Sequence, residues 1–147
     1  MVKIEYPDWQ PKIKMIDDKE SIFDSIRKRW VLLTPEEWVR QNFLQYMVQV
    51  KKYAASLIAI EKEIELADLK KRFDIVLYKN AQPWMIVECK ETSVVLDSKV
   101  LDQVLRYNMS LKVPYLVITN GSYCHAFTVI ENKLEELNEL PEMEIEI

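Results

Sequence analysis

The 147-residue chain has one glycine, one histidine and two cysteines. A single glycine excludes the Gly-rich loops that cradle nucleotide phosphates, the P-loop among them. Cys89 and Cys124 lie inside apparent strands and read as buried thiols in a reducing compartment, in preference to a disulfide. With His125 they lack the spacing of a metal site. His125 alternates out of phase with Cys124, Ala126 and Thr128 and is assigned no role. No apolar run reaches membrane-spanning length, and no signal peptide opens the chain. A cytoplasmic protein without a membrane partner is the expectation.

A basic excess is also missing, since the net charge is −4. The deficit is local. Residues 131–147 hold seven Glu and one Lys, which leaves 17 acids against 19 bases in residues 1–130. The body is mildly basic, which is compatible with a local phosphate-binding surface without establishing one, and the tail is acidic. The length suits one domain, residues 1–147, with a real core. Residues 1–20 contain Pro7 and Pro11 and read as an N-terminal arm packing through Tyr6 and Trp9. Leu134, Leu137 and Leu140 in the acidic C-terminal tail are spaced for a short helix.

What is there centres on Lys71 to Lys90. Phe73, Ile75 and Leu77 alternate with Arg72, Asp74, Val76 and Tyr78, and Met85, Val87 and Cys89 with Trp84, Ile86, Glu88 and Lys90, so the stretch, rich in β-branched and aromatic residues, reads as two strands. Asn80 and Pro83 supply the turn. A turn centred on Ala81 sets Tyr78 opposite Trp84 and Asp74 opposite Glu88. Asp74, Glu88 and Lys90 then share one face, and Phe73, Ile75, Leu77, Met85, Val87 and Cys89 form a core face. Opposed carboxylates repel, and a divalent cation removes the conflict, because Mg²⁺ is usually held by one or two carboxylates plus substrate phosphates. Lys90 on the same side is placed to orient a water or offset charge on a phosphoryl oxygen. A solvated sheet face with an ordinary Glu–Lys pair fits the same spacing.

The flanking elements are legible in the same way. Thr34, Pro35 and Glu37 read as N-cap, first helical residue and capping-box partner. The helix runs to about Tyr53, with Val39, Phe43, Met47 and Val50 as its apolar stripe. Ser56 to Leu66 reads as the first strand of the sheet, with a helix as the alternative because Glu and Leu favour helices. Lys70, Lys71 and Arg72 lead into the Asp74 strand, either as contacts to a nucleic-acid backbone or as edge charges that discourage aggregation. A second helix spans about Leu96 to Leu111. Val113 to Asn120 suits a parallel strand buried on both faces. Asn120-Gly121 marks a hairpin turn into a strand over Ser122 to Ile130.

Asp74 followed by Glu88-Cys89-Lys90 resembles the PD-(D/E)XK nuclease motif. Gln103-Val104-Leu105-Arg106-Tyr107 resembles the Q-x-x-x-Y helix of some branches of that superfamily. The wider run from Ile22 to Ile130, including LTPEEWVRQ and LKVPYLVITNG, resembles the N-terminal nuclease domain of type I restriction enzyme R subunits, in its short stand-alone form. Phe73 departs from the Pro of the superfamily name, and the restriction subunit continues into a helicase motor where this sequence ends. The resemblance implies an α/β fold with a restriction-endonuclease-like core, a central mixed β-sheet flanked by helices. It implies a metal-dependent endonuclease acting on DNA, with Mg²⁺ (or Mn²⁺ as substitute) on Asp74 and Glu88. Glu36 of the first helix is the further ligand it suggests, and Gln103 and Tyr107 are the residues beside the site. A homodimer or a partner subunit fits such a nuclease. The alternative is a non-catalytic module that keeps the scaffold to bind nucleic acid or protein.

Overall fold

The computed structural model describes residues 1–66 and 69–144, and within its elements every side chain except those of Leu66, Leu69 and Tyr107. The chain opens with a three-stranded antiparallel meander, β1 (Ile13–Ile16), β2 (Lys19–Asp24) and β3 (Arg29–Leu32). Residues 13–20 are therefore a hairpin, not an extended arm. Its two-residue turn is Asp17-Asp18, both at positive φ. Aspartate tolerates that conformation, but the pair lacks the Asn-Gly signature that marks such turns in a sequence.

Thr34 caps α1 (Pro35–Gln45), its Oγ1 accepting the Glu37 N–H at 3.0 Å, with Pro35 opening the helix. The capping box is half made. The Glu37 carboxylate turns instead to the Arg27 Nη2 donor at 2.8 Å. Val39, Phe43 and Met47 are buried as the stripe requires, but Val50 is exposed. The helix widens into a π-helical turn over Tyr46–Val50 and stops short of Tyr53. That widening rotates later side chains off the α-helical period.

Then follow β4 (Ile58–Leu66), β5 (Leu69–Lys79), β6 (Gln82–Cys89), α2 (Ser98–Met109), β7 (Tyr115–Thr119), β8 (Cys124–Ile130) and β9 (Lys133–Leu137). The expected run of helix, three strands, helix and two strands is present, lengthened by the meander and by β9. Leu134 and Leu137 thus lie on an edge strand rather than the expected helix. The fold is mixed α/β. Its six-stranded sheet runs β4-β5-β6-β7-β8-β9, with β6–β7 parallel and the other pairs antiparallel. The crossover that a parallel pair needs is α2. β7 is buried on both faces, as its apolar run suggests.

The sheet separates two cores. On one side α1 and the π-helical turn that follows it lay Val39, Phe43 and Met47 against Ile75, Leu77, Met85, Val87 and Cys89. On the other, Leu105 of α2 packs with Val76, Ile86, Leu116, Ile118 and Phe73. The expected core face is correct except for Phe73, which lies on the opposite side. Between Phe73 and Ile75 the period-two alternation slips by one, and Asp74 is the residue at the slip. The β5–β6 register also departs at its turn. Asn80-Ala81, both at positive φ, makes a two-residue hairpin, so Tyr78 faces Pro83, and Trp84 is the extra residue of a bulge. Below the bulge Leu77 faces Met85 and Ile75 faces Val87, which is the expected register at the Asp74 end.

Gly121, the single glycine, sits in the β7–β8 turn at φ +92°, and a Cβ there would lie 3.3 Å from Val39 Cγ2. Gly121→Ala is expected to destabilise the chain by about 1–2 kcal/mol, since Ala at positive φ costs more than its entropy gain returns. Urea unfolding would read this as a lower midpoint at unchanged slope. Among the described residues no helix is long and apolar enough to cross a membrane.

Candidate metal and catalytic site

Asp74 stands where β5 loses regular pairing on both edges. Towards β4, Ile60 pairs with Ile75 and Lys62 with Phe73, while Glu61 between them adopts φ +53°. Towards β6, the ladder stops at Ile75–Val87, and the Cys89 N–H donates to the Asp74 carboxylate at 2.8 Å instead. Irregularities of this kind re-aim a side chain out of a strand's normal direction. Here they deliver a half-buried carboxylate to the end of β6, beside the first turns of α1.

Its acidic neighbour on that side is Glu36. Burial, and then the Asp74 charge, hold the Glu36 carboxyl above its ordinary value, with Arg40 opposing them. Glu88 belongs to the α2 side. Its Oε1 accepts from Lys71 Nζ at 2.7 Å, and the same ammonium lies 3.5 Å from Asn108 Oδ1 of α2 and over the Phe73 ring. The single shared face expected for Asp74, Glu88 and Lys90 is therefore divided, because the alternation slips at Asp74 alone. The three still converge on one end of the sheet. Lys90 follows Cys89 directly, and its N–H continues the parallel ladder to Thr119 O at 2.8 Å. Its side chain lines a cleft of about 510 Å³ with Lys71, Val94, Val100, Gln103 and Val104. Gln103 is thus brought to the site's rim. Tyr107 lies on α2, and its side chain is outside the described residues. Lys70 pairs with Glu63 at 3.2 Å on the outer part of the β4–β5 hairpin, and Arg72 is exposed there. Of that basic trio Lys71 reaches the site as the partner of Glu88, and Arg72 acts on the network through its charge on Glu61.

Sequence reasoning missed the buried ionic network beneath Asp74. Asp24, fully buried, accepts from the Ile26 and Arg27 N–H groups at 2.8 Å each, from Arg27 Nε at 2.6 Å and from Gln41 Nε2 at 2.9 Å. Burial alone would raise its pKa, but these hydrogen bonds outweigh burial and hold it below the ordinary value. Arg27 continues to Glu37 at 2.8 Å and Glu61 at 3.7 Å. Arg40 donates to Glu61 at 2.9 Å, and its Nη2 lies 3.8 Å from Glu36 and 3.7 Å from Asp74. The Arg40 hydrogen bond depresses the Glu61 pKa. In the sequence Arg27, Lys28 and Arg29 form a basic cluster that reads as a solvated edge, and Glu37 reads as a cap. Only the i, i+3 and i, i+4 spacing of Glu37, Glu36 and Arg40 hints at a link.

Five carboxylates (Asp24, Glu36, Glu37, Glu61, Asp74) thus share two guanidiniums, and with Lys90 acting on Glu36 and Arg72 on Glu61 an excess of one negative charge remains when all are ionised. Among the described residues no group of three or more His, Cys, Asp or Glu side chains forms a ready-made metal cage. Magnesium needs less, because one or two carboxylates plus substrate phosphates suffice. Asp74 with Glu36, in a locality short of positive charge, fits that requirement.

Comparison with curated proteins and with solved structures returned no match. Residues 35–141, from the first residue of α1 to the segment beyond β9, match the family model described as type I restriction enzyme R protein N terminus. The match spans most of the chain and all of the site's elements from α1 onward, and the chain belongs to that family.

Proposed function

We propose that the chain is a metal-dependent nuclease on a restriction-endonuclease-like core, hydrolysing phosphodiester bonds of DNA. The observation that carries this reading is Asp74. It is turned out of β5 by irregular pairing on both sides and set beside a second carboxylate in a network with too little positive charge. A fold selected for stability alone has no use for that arrangement. Membership of a restriction-enzyme family supports the substrate class.

Asp74 and Glu36 would hold Mg²⁺, with Glu88 joining from the α2 side once it leaves Lys71. Bound there, the ion supplies Lewis-acid polarisation of a phosphoryl oxygen and lowers the pKa of a water. The chain's own residues do the rest. The Lys90 ammonium, on the cleft side of β6, offsets charge that develops on the phosphoryl oxygens. Gln103 on the cleft rim offers an amide to the nucleic-acid backbone or to the attacking water. Lys71, released from Glu88, is placed to meet a phosphate.

One feature favours the alternative, a non-catalytic nucleic-acid-binding module. Glu88 is already neutralised by Lys71 at 2.7 Å. Lys90→Ala separates the two readings. For a nuclease, cleavage of supercoiled and linear DNA in Mg²⁺ falls by about 10²–10³-fold, the typical loss of one transition-state charge partner, while DNA binding weakens far less. A wild-type chain that binds DNA but cleaves neither form in Mg²⁺ or Mn²⁺ would leave the binding module as the function.

A further inference from the structure

Arg40 is 5 % exposed and, among the described residues, is held by a single hydrogen bond, Nη1 to Glu61 Oε1 at 2.9 Å. Its Nε is buried and makes no hydrogen bond among the described residues, although Glu37 Oε2 lies at an ion-pair distance of 3.3 Å. Its Nη2 lies between Glu36 Oε1 at 3.8 Å and Asp74 Oδ1 at 3.7 Å, too far to bond either. A buried guanidinium normally satisfies its donors in bidentate pairs. This one is tethered at one corner, incompletely bonded at another, and suspended at the third between two carboxylates.

We propose that Arg40 is a positioning residue that stands in for the divalent cation between Glu36 and Asp74 and yields to it. The inference rests on the metal-dependent reading of the site. With no ion present, the guanidinium keeps two like-charged carboxylates together that would otherwise repel. When the ion enters, Nη2 withdraws and the guanidinium settles more fully on Glu37 and Glu61. Those two acids already lie within 3.3 Å and 2.9 Å, so the shift is short. The unpaired Nε gains a partner in the process, which offsets the loss of attraction to Asp74. Glu61, the tether, owes its reach to the positive φ that breaks the β4–β5 ladder beside Asp74. The strained residue and the incompletely bonded arginine are thus parts of one device.

The sign of the effect distinguishes this role from a structural one. A residue that only props up the carboxylates weakens metal binding when removed, whereas a resident competitor strengthens it. Titration calorimetry with Mn²⁺ at low salt would compare wild type, Arg40→Gln and Asp74→Asn. Binding about tenfold tighter in Arg40→Gln is expected, the size of one nearby charge acting on a divalent ion at high effective dielectric. Equal or weaker binding in Arg40→Gln, with Asp74-dependent binding in wild type, would overturn the role of Arg40 and leave the metal site standing. Absence of Mn²⁺ binding in both wild type and Arg40→Gln would remove the metal site and this inference with it. If Arg40→Gln fails to fold, R40Q/E61Q replaces the ion pair by two amides and is compared with E61Q alone. The double variant should bind Mn²⁺ the more tightly of the two, and the reverse order overturns the proposal.

Discussion

Asp74→Asn is expected to leave the chain folded and to erase its thermal response to Mn²⁺. The asparagine oxygen still accepts the Cys89 N–H, so the local backbone keeps its partner. What disappears is the charge. A ligand present at about 100 times its dissociation constant stabilises the native state by roughly 2.7 kcal/mol. For a chain of this size that is a rise of about 5–11 °C, at roughly 2–4 °C per kcal/mol. Differential scanning fluorimetry with and without Mn²⁺ reads both variants in one experiment and needs no substrate. A wild-type rise that persists in Asp74→Asn would move the ion elsewhere and sink the assignment. Loss of the rise together with loss of cleavage ties both to one carboxylate.

A second substitution should cost the most stability. Asp24→Ala is expected to destabilise the chain by about 3–5 kcal/mol, the usual penalty for removing one partner of a buried ion pair. Four donors converge on that carboxylate; the two backbone N–H groups and Arg27 Nε lose their acceptor at once, and Gln41 Nε2 keeps only the longer bond to Glu37 at 3.3 Å. Arg27 then keeps only Glu37 and the more distant Glu61. Against a native stability of about 5–15 kcal/mol the loss is large, and denaturant melts should show it as a fall in midpoint. The pH dependence has a fixed sign. Asp24 titrates below its ordinary value of 3.8 in the folded state. Its stabilisation is therefore complete above that value and is lost as pH falls through the folded pKa. Wild type should lose stability more steeply than Asp24→Ala as the solution is acidified below about pH 4. Parallel curves would mean that Asp24 is not the group responsible.

Much of the architecture could be read from residue order because burial writes a period into a strand or helix. The Thr34-Pro35 start, the buried parallel run ending at Thr119 and the Asn120-Gly121 turn each follow from a local rule. The meander was harder to see, since Asp17-Asp18 makes its turn without glycine. The π-helical turn that exposes Val50 has no sequence signature at all. In the site, the motif spacing singled out Asp74, Glu88 and Lys90 as residues at one end of the sheet. It could not foresee that the alternation slips at Asp74 and gives that carboxylate to α1 while Glu88 stays with α2. The Asp24–Arg27–Glu37–Arg40–Glu61 network was illegible for a deeper reason. Its members come from β2, the loop after it, α1 and β4, and charges so far apart in the chain look like ordinary surface residues until the fold joins them.

The parallel pairing of β6 with β7 also governs when the site comes into being. Lys90 is pinned by a hydrogen bond to Thr119, and the two are joined only after α2 has crossed over the sheet. Pairings of such sequence separation form late, because loop closure precedes their reward. A nascent chain emerged only as far as Lys90 would carry Asp74, Glu88 and Lys90 of the proposed site without the strand that pairs with β6. On the nuclease reading, such a chain would stay inactive until β7 pairs with β6.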